Sequence, residues 1–334
     1  MSLTIEEAAE RIHPLDAKAQ IQARSRWDSR AKLPGSLGEL EWAVVRLAGI
    51  RRTPSPSIGR KQVVVFCADN GVTAESVTPS DPRITAAQAV NFAEGGGTIN
   101  AFARRLGADV LVVDIGIATP CRHPGILRRS IRPGTGNIAY GPAMTAEECR
   151  LAVETGIALA EDAASRGVDL LITGEMGIGN TTTSSAVAAV LLGRPPEEVA
   201  SKGAGRSGAI PHKAAVIRRA IGQNRPDPGN PLNILAKVGG NVRAVYRRRC
   251  LRAARRHRRR HLSGSGSVRC PDCPLVSGLY ASVPLFGRAG RPAASGCARL
   301  PCAHSGRPLP RGRDGRRSGG GSAGLCPVRL SRGG

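Results

Sequence analysis

Aromatic residues are scarce in this chain of 334 residues, with two Trp, three Tyr and four Phe, about 3% of the total. Aliphatic side chains and alanine must therefore fill any core, and a hydrophobic content of 41% suffices for one. No apolar run approaches the roughly 18 residues of a membrane span, so no crossing helix is expected. The opening MSLTIEEAAERIHPLD lacks a basic stretch followed by an apolar one, which argues against a signal peptide and makes a cytoplasmic location the default. Residues 241–334 lack more: they contain no Lys, Glu, Gln, Ile, Met, Thr or Trp.

What that last segment does contain is arginine. It holds 21 Arg against two acids, Asp272 and Asp314, so it supplies +19 of the chain's +24 and leaves only +5 for residues 1–240. Six of the nine cysteines lie there too; Cys67, Cys121 and Cys149 lie earlier and read as reduced residues of a cytosolic chain. The segment's Arg, Gly, Pro and Ser show no lasting period of 2 or 3.6. Such a composition buries too little apolar surface to offset chain entropy, and disorder is expected. The missing residue types mostly have AT-rich codons and the abundant ones GC-rich codons. A frameshift in GC-rich DNA near residues 239–241 accounts for that pattern. Two functional readings of the tail stand beside it. Arginine clusters could bind nucleic-acid phosphates, although few aromatics are present to stack on bases. Cys270 and Cys273, with Cys297 and Cys302, could supply four thiolates to zinc, although a second tight CxxC pair is missing.

Residues 1–240 follow a different grammar. Short β-branched runs at 62–67 (QVVVFC), 109–114 (DVLVVD) and 168–173 (VDLLIT) suit parallel strands covered on both faces. Helical stretches separate them. Thr145 with Glu148, Thr4 with Glu7 and Ser36 with Glu39 each offer a capping box, and Gly167 offers a stop after a helix continuing to Arg166. The alternation predicts an α/β fold with a doubly wound parallel sheet. It divides the chain into a small helical layer at 1–50, an α/β core at 51–240 and the tail at 241–334.

The richest segment is LLITGEMGIGNTT (170–182). A strand enters a turn bearing Gly174, Gly177 and Gly179, and a helix is expected to begin near Thr181. The amides of Asn180, Thr181 and Thr182 at a helix N-terminus could receive a phosphate. Neither a Walker lysine nor the third glycine of a dinucleotide fingerprint is present, so spacing alone leaves a monophosphate site and a plain tight turn both open. Glu175 stands at the carboxyl end of a strand, where such sheets bind ligands, and could take a proton or hold a ribose hydroxyl. Asp69-Asn70-Gly71 and Asp114-Ile115-Gly116 repeat the arrangement after two other strands; each also fits an ordinary Asx turn. Three such turns would converge on one crevice.

Taken in order, the motifs RAKLPGSLGELE (30–41), FCADNGV (66–72), ITAAQAVNFAEGGGTIN (84–100), VVDIG (112–116), GTGNIAYGPAMT (134–145), GEMGIGNTT (174–182), IPHKAAVIRRAI (210–221) and LNILAKVGG (232–240) resemble the nicotinate-mononucleotide:5,6-dimethylbenzimidazole phosphoribosyltransferases of cobalamin lower-ligand synthesis. The resemblance implies transfer of 5-phosphoribose from nicotinate mononucleotide to a benzimidazole nitrogen, with inversion at the anomeric carbon, no metal or organic cofactor, and a homodimer. By motif position it implies a benzimidazole pocket at Ser80 and Gln88, an acidic site residue at Glu175, and phosphate contacts at Gly177, Gly179, Asn180 and Thr181. It also implies a site lysine at Lys213, which would otherwise read as a surface residue, and a substrate-binding role for Asp69 at its strand end. Three departures stand out. Asn70 replaces the histidine of a motif that more often reads ADHGV, and GAGRSG (203–208) replaces a GRGTG-like segment. No glutamate follows residue 240, where the family carries its principal catalytic base. The resemblance thus also allows a chain that binds the mononucleotide without turning it over.

Overall fold

The computed structural model describes residues 3–203 and 207–241. The disorder, the arginine clusters and the Cys270, Cys273, Cys297 and Cys302 quartet expected of the tail lie outside the described residues.

Four strands, β1 (Lys61–Ala68), β2 (Ala108–Gly116), β3 (Ile126–Arg128) and β4 (Leu170–Met176), form one sheet in the order β3-β2-β1-β4. Every pairing is parallel. Side chains alternate between its two faces, as the period of a strand requires. Val64, Phe66, Val113 and Ile115 enter one core, while Val63, Val65, Cys67 and Val112 enter the other.

The second of these cores is covered by α4 (Ile84–Ala93) and α5 (Thr98–Leu106), which carry the chain from β1 to β2. The first is covered by α6 (Ala146–Ser165), α7 (Asn180–Leu192), α9 (Ile210–Asn224) and α10 (Pro231–Val238). After β1 the chain therefore turns toward one face, and after β4 it turns toward the other. That divergence between adjacent parallel strands is a topological switch point, and it opens a crevice at their carboxyl ends. The short α8 (Pro196–Val199) packs beside α7 and α9.

Of the leading helices, α2 (Ala17–Asp28) and α3 (Glu39–Arg51) pair around Ala23, Val45, Ala48 and Trp27. By contrast, α1 (Ile5–Glu10) sends Ile5 and Ala8 into the main core. The capping boxes at Thr4–Glu7 and Thr145–Glu148 form in both directions. The one expected at Ser36 does not. Instead α3 follows Gly38, whose φ is +53°, while Ser36 N–H closes a turn onto the Leu33 carbonyl. The nearby carboxylate that does engage is Glu41, which accepts from Lys32 Nζ at 2.7 Å and from the Leu37 amide at 3.2 Å. After α6, Gly167 has φ +75° and ends the helix where expected.

The strand expected at 168–173 is displaced to Leu170–Met176. Val168 N–H still bonds back to the Ala163 carbonyl, and Asp169 is held by Arg51 and the Gly59 amide. The parallel ladder with β1 then continues as far as Cys67 opposite Met176. Gly174 is thus a strand residue rather than a turn residue, and Glu175 lies at the carboxyl end of the strand, as expected. Cys67, Cys121 and Cys149 are free thiols, as expected of reduced residues. Burial, helped by the nearby Asp114 and Glu175 carboxylates, pushes the Cys67 thiol far above its ordinary range.

Candidate functional site

The three polar turns at the strand ends meet, and hydrogen bonds join them. Asp69 N–H donates to the Gly116 carbonyl at 3.0 Å, and Asp69 Oδ2 accepts from Ala118 N–H at 2.9 Å. These bonds join the crest of β1 to that of β2. On the other side, Asn70 Nδ2 donates to the Ile178 carbonyl at 3.0 Å, joining β1 to the loop after β4. Asp114 does not face the crevice: its Oδ1 accepts from the amides of Gly116 and Ile117, closing its own Asx turn. Asp69 is buried, which raises its carboxyl above the usual range against the opposing pull of the Thr85 hydroxyl and the Ala118 amide.

The loop 177–179 approaches β1 very closely. A β-carbon on Gly177 would lie 2.1 Å from the Ala68 carbonyl oxygen, so no other residue fits there. Gly179 has φ +87° and turns the chain into α7. The N-terminal amides of this helix are less open than the sequence suggested. Asn180 N–H bonds the Gly177 carbonyl and Thr182 N–H bonds that of Gly179. The turn thus takes two of the three amides proposed for an anion.

The side chain of Asn180 is also engaged. Its Nδ2 lies 2.6 Å from Glu175 Oε1 and 2.8 Å from Oε2, so a strand-end carboxylate and a helix-start amide form one unit. Helix α7 is buried along Thr182–Val190 rather than amphipathic. The hydroxyl of Thr182 has no hydrogen-bond partner among the described residues, whereas those of the next three residues meet nearby carbonyls. Thr183 and Ser184 donate to that of Asn180, and Ser185 to that of Val199.

Lys213 is not at the surface. It is 2% exposed, on the inward face of α9 with Val216, Ile217 and Ala220. Its Nζ donates to Thr181 Oγ1 at 3.1 Å and to the carbonyls of Ser201 and Lys202 at 3.3 and 3.1 Å. These partners are neutral, so they satisfy the donors without cancelling the charge. Burial accordingly lowers the pKa of the ammonium. A buried cation bonded to the first turn of a helix, whose dipole also favours anions, makes a locally positive floor.

Asp69, Glu175, Gly177, Gly179, Asn180, Thr181 and Lys213 therefore gather around one switch point. Ser80 and Gln88 have local hydrogen bonds: Ser80 N–H to Thr78 Oγ1, and Gln88 Oε1 from Asn91 Nδ2 within α4. Sequence reasoning passed over Thr85, whose Oγ1 accepts from Ile178 N–H at 3.1 Å. It saw Asn70 only as a departure from a motif. Among the described residues, no group of three or more His, Cys, Asp or Glu is placed to hold a metal ion.

Comparison with known proteins agrees with this geometry. A phosphoribosyltransferase family profile matches residues 12–260. The nicotinate-nucleotide–dimethylbenzimidazole phosphoribosyltransferase of Ruminiclostridium cellulolyticum is 45% identical over 240 residues, covering 71% of this chain and 68% of that protein. The Acetivibrio thermocellus protein of the same name is 46% identical over 216 residues, covering 64% and 62%. The crystal structure of CobT from Thermus thermophilus superposes with a TM-score of 0.65 at 41% identity, covering 69% of this chain and 70% of that one. The match therefore spans about two thirds of the relatives' length. Together with the wound sheet and its crevice, it shows that the chain belongs to the phosphoribosyltransferase family.

Proposed function

We propose that this chain binds nicotinate mononucleotide at the β1–β4 switch point and is built to transfer its 5-phosphoribosyl group to 5,6-dimethylbenzimidazole, giving α-ribazole 5′-phosphate and nicotinate. One observation carries the reading: a close-approach glycine loop, a buried lysine and a strand-end carboxylate lie around the same helix start. Relatives at 45% identity are named for this reaction.

In this reading Lys213, Thr181, Gly177 and Gly179 hold the 5′-phosphate. Glu175, oriented by Asn180, faces the ribose as positive charge develops at its anomeric carbon. The leaving nicotinate is a pyridinium in the substrate, so it takes the electron pair of the breaking C–N bond and departs neutral at its ring nitrogen. A benzimidazole nitrogen forms the new bond, and its second nitrogen must lose a proton. Ser80 and Gln88 line the base pocket, with Asp69 supporting the crest between them and the loop. The chain has no glutamate after residue 240, so we expect binding to outlast turnover. We place the protein in the cytoplasm as a homodimer. Among the described residues, no helix is long and apolar enough to cross a membrane.

Calorimetry of the full chain with nicotinate mononucleotide, beside chromatographic assay of α-ribazole 5′-phosphate, tests this. Saturable binding is expected, with turnover about 10²–10⁴-fold below that of the Ruminiclostridium relative, the usual cost of a missing general base. A folded chain without saturable binding would overturn the reading.

A further inference from the structure

Two buried side chains outside the residues assigned above grip the glycine loop at its apex. The Ile178 carbonyl accepts from Asn70 Nδ2 at 3.0 Å, and the Ile178 amide donates to Thr85 Oγ1 at 3.1 Å. Asn70 is 6% exposed and Thr85 is fully buried. They reach the loop from different elements, Asn70 from the crest of β1 and Thr85 from the first turn of α4. Asn70 goes further, because its Oδ1 accepts from Thr183 Oγ1 at 3.4 Å in the first turn of α7. Its side chain is also closely boxed in. A β-carbon on Gly177 would lie 3.0 Å from Nδ2, and one on Gly240 would lie 2.8 Å from Oδ1.

We propose that Asn70 and Thr85 are positioning residues that clamp the backbone of Ile178 and hold the 177–179 loop in the shape its ligand requires. The physical need is plain. Two glycines in a three-residue loop leave it more conformational freedom than side-chain-bearing residues at those positions would. That freedom must be surrendered when a ligand binds, unless it has already been lost on folding. Among the described residues, neither the N–H nor the C=O of Ile178 bonds another backbone group. Two side chains fixed by their own burial restrain it instead. Neither residue need touch the ligand; both act through the loop. The proposal rests on the reading above that this loop receives the phosphate.

The test uses the full chain and two measurements, affinity for nicotinate mononucleotide by calorimetry and hydrogen exchange at the Ile178 amide. Thr85→Val keeps the shape but removes the acceptor for the Ile178 amide, together with the hydroxyl that bonds Asp69. It is expected to weaken binding about tenfold, equivalent to about 1.4 kcal/mol, and to speed exchange at Ile178. Thr85→Ser returns the hydroxyl and should restore both. Asn70→Asp removes the donor to the Ile178 carbonyl and should behave like Thr85→Val; it carries the test if the valine variant does not fold. Unchanged affinity in these variants overturns the proposal, even with faster exchange, because the bonds would then serve the fold alone. If the unsubstituted chain does not bind the mononucleotide, the phosphate reading falls separately. Exchange then decides the clamp: no change at Ile178 in either variant refutes it.

Discussion

Replacing Lys213 with methionine separates a ligand role from a role in the fold. The ammonium makes three hydrogen bonds, to Thr181 Oγ1 and to the carbonyls of Ser201 and Lys202. Hydrogen bonds to a charged group contribute about 1.5–3 kcal/mol each. Against them stands a desolvation cost of several kcal/mol for a cation buried without a counter-ion. The two nearly cancel, and methionine fills a similar volume, so Lys213→Met should alter stability by no more than about 2 kcal/mol. Ligand affinity should fall far more. Removing one partner of a buried charge pair costs about 2–5 kcal/mol, or roughly 30-fold to several-thousand-fold in Kd. A pH signature should accompany the loss. Burial lowers the Lys213 pKa below its ordinary 10.5. Between the lowered value and 10.5 the unfolded chain holds more protons than the folded one, so this group makes stability rise with pH across that window. Below the window the ammonium is charged in both states and contributes no slope. The difference in unfolding free energy between the unsubstituted chain and Lys213→Met, measured by urea titration from pH 7 to 10.5, should therefore be flat and then climb in favour of the unsubstituted chain. Unchanged affinity for nicotinate mononucleotide would show that the ammonium holds no anion, and a difference that stays flat to pH 10.5 would show that burial does not depress its titration.

Gly177→Ala should be severe, because its β-carbon would meet the Ala68 carbonyl oxygen at 2.1 Å and backbone must move to admit it. A loss of about 2–4 kcal/mol is expected by urea titration, with binding lost as well; near-native stability would show that the loop yields easily. Thr145→Ala removes one half of the α6 capping box, in which Thr145 Oγ1 accepts from Glu148 N–H at 3.1 Å. It should cost about 1 kcal/mol, a drop of about 2–4 °C in Tm, and leave mononucleotide affinity unaltered.

Much of this architecture was legible in the residues, for physical reasons that also mark where legibility ended. The runs at 62–67 and 109–114 are strands because β-branched side chains covered on both faces leave little alternative. The run at 168–173 misled by two or three residues. Its start is set by bonds from Asp169 to Arg51 and Gly59, distant partners that no local pattern reveals. Thr4 and Thr145 cap their helices as their spacing suggests, whereas Ser36 loses its role to glycines that turn the chain first. The burial of Lys213 could have been read from spacing. With Ile217, Ala220 and Asn224 it occupies steps of four, three and four residues along α9, which is the inward stripe. The engagement of Ile178 by Asn70 and Thr85 could not, since a buried threonine near a helix start looks like packing until its partner, 93 residues away, is in place.

Glu175 rides on β4, and among the described residues β4 is laddered on one side alone, to β1. A border strand is released more readily than an interior one, so local opening reaches it before the rest of the sheet gives way. The carboxylate is thereby tied to one of the two border strands of the sheet. Any agent that secures that border, whether bound nucleotide or neighbouring polypeptide, also secures the chemistry. Competence in this protein should thus vary with how firmly one strand is moored, well before global unfolding becomes measurable.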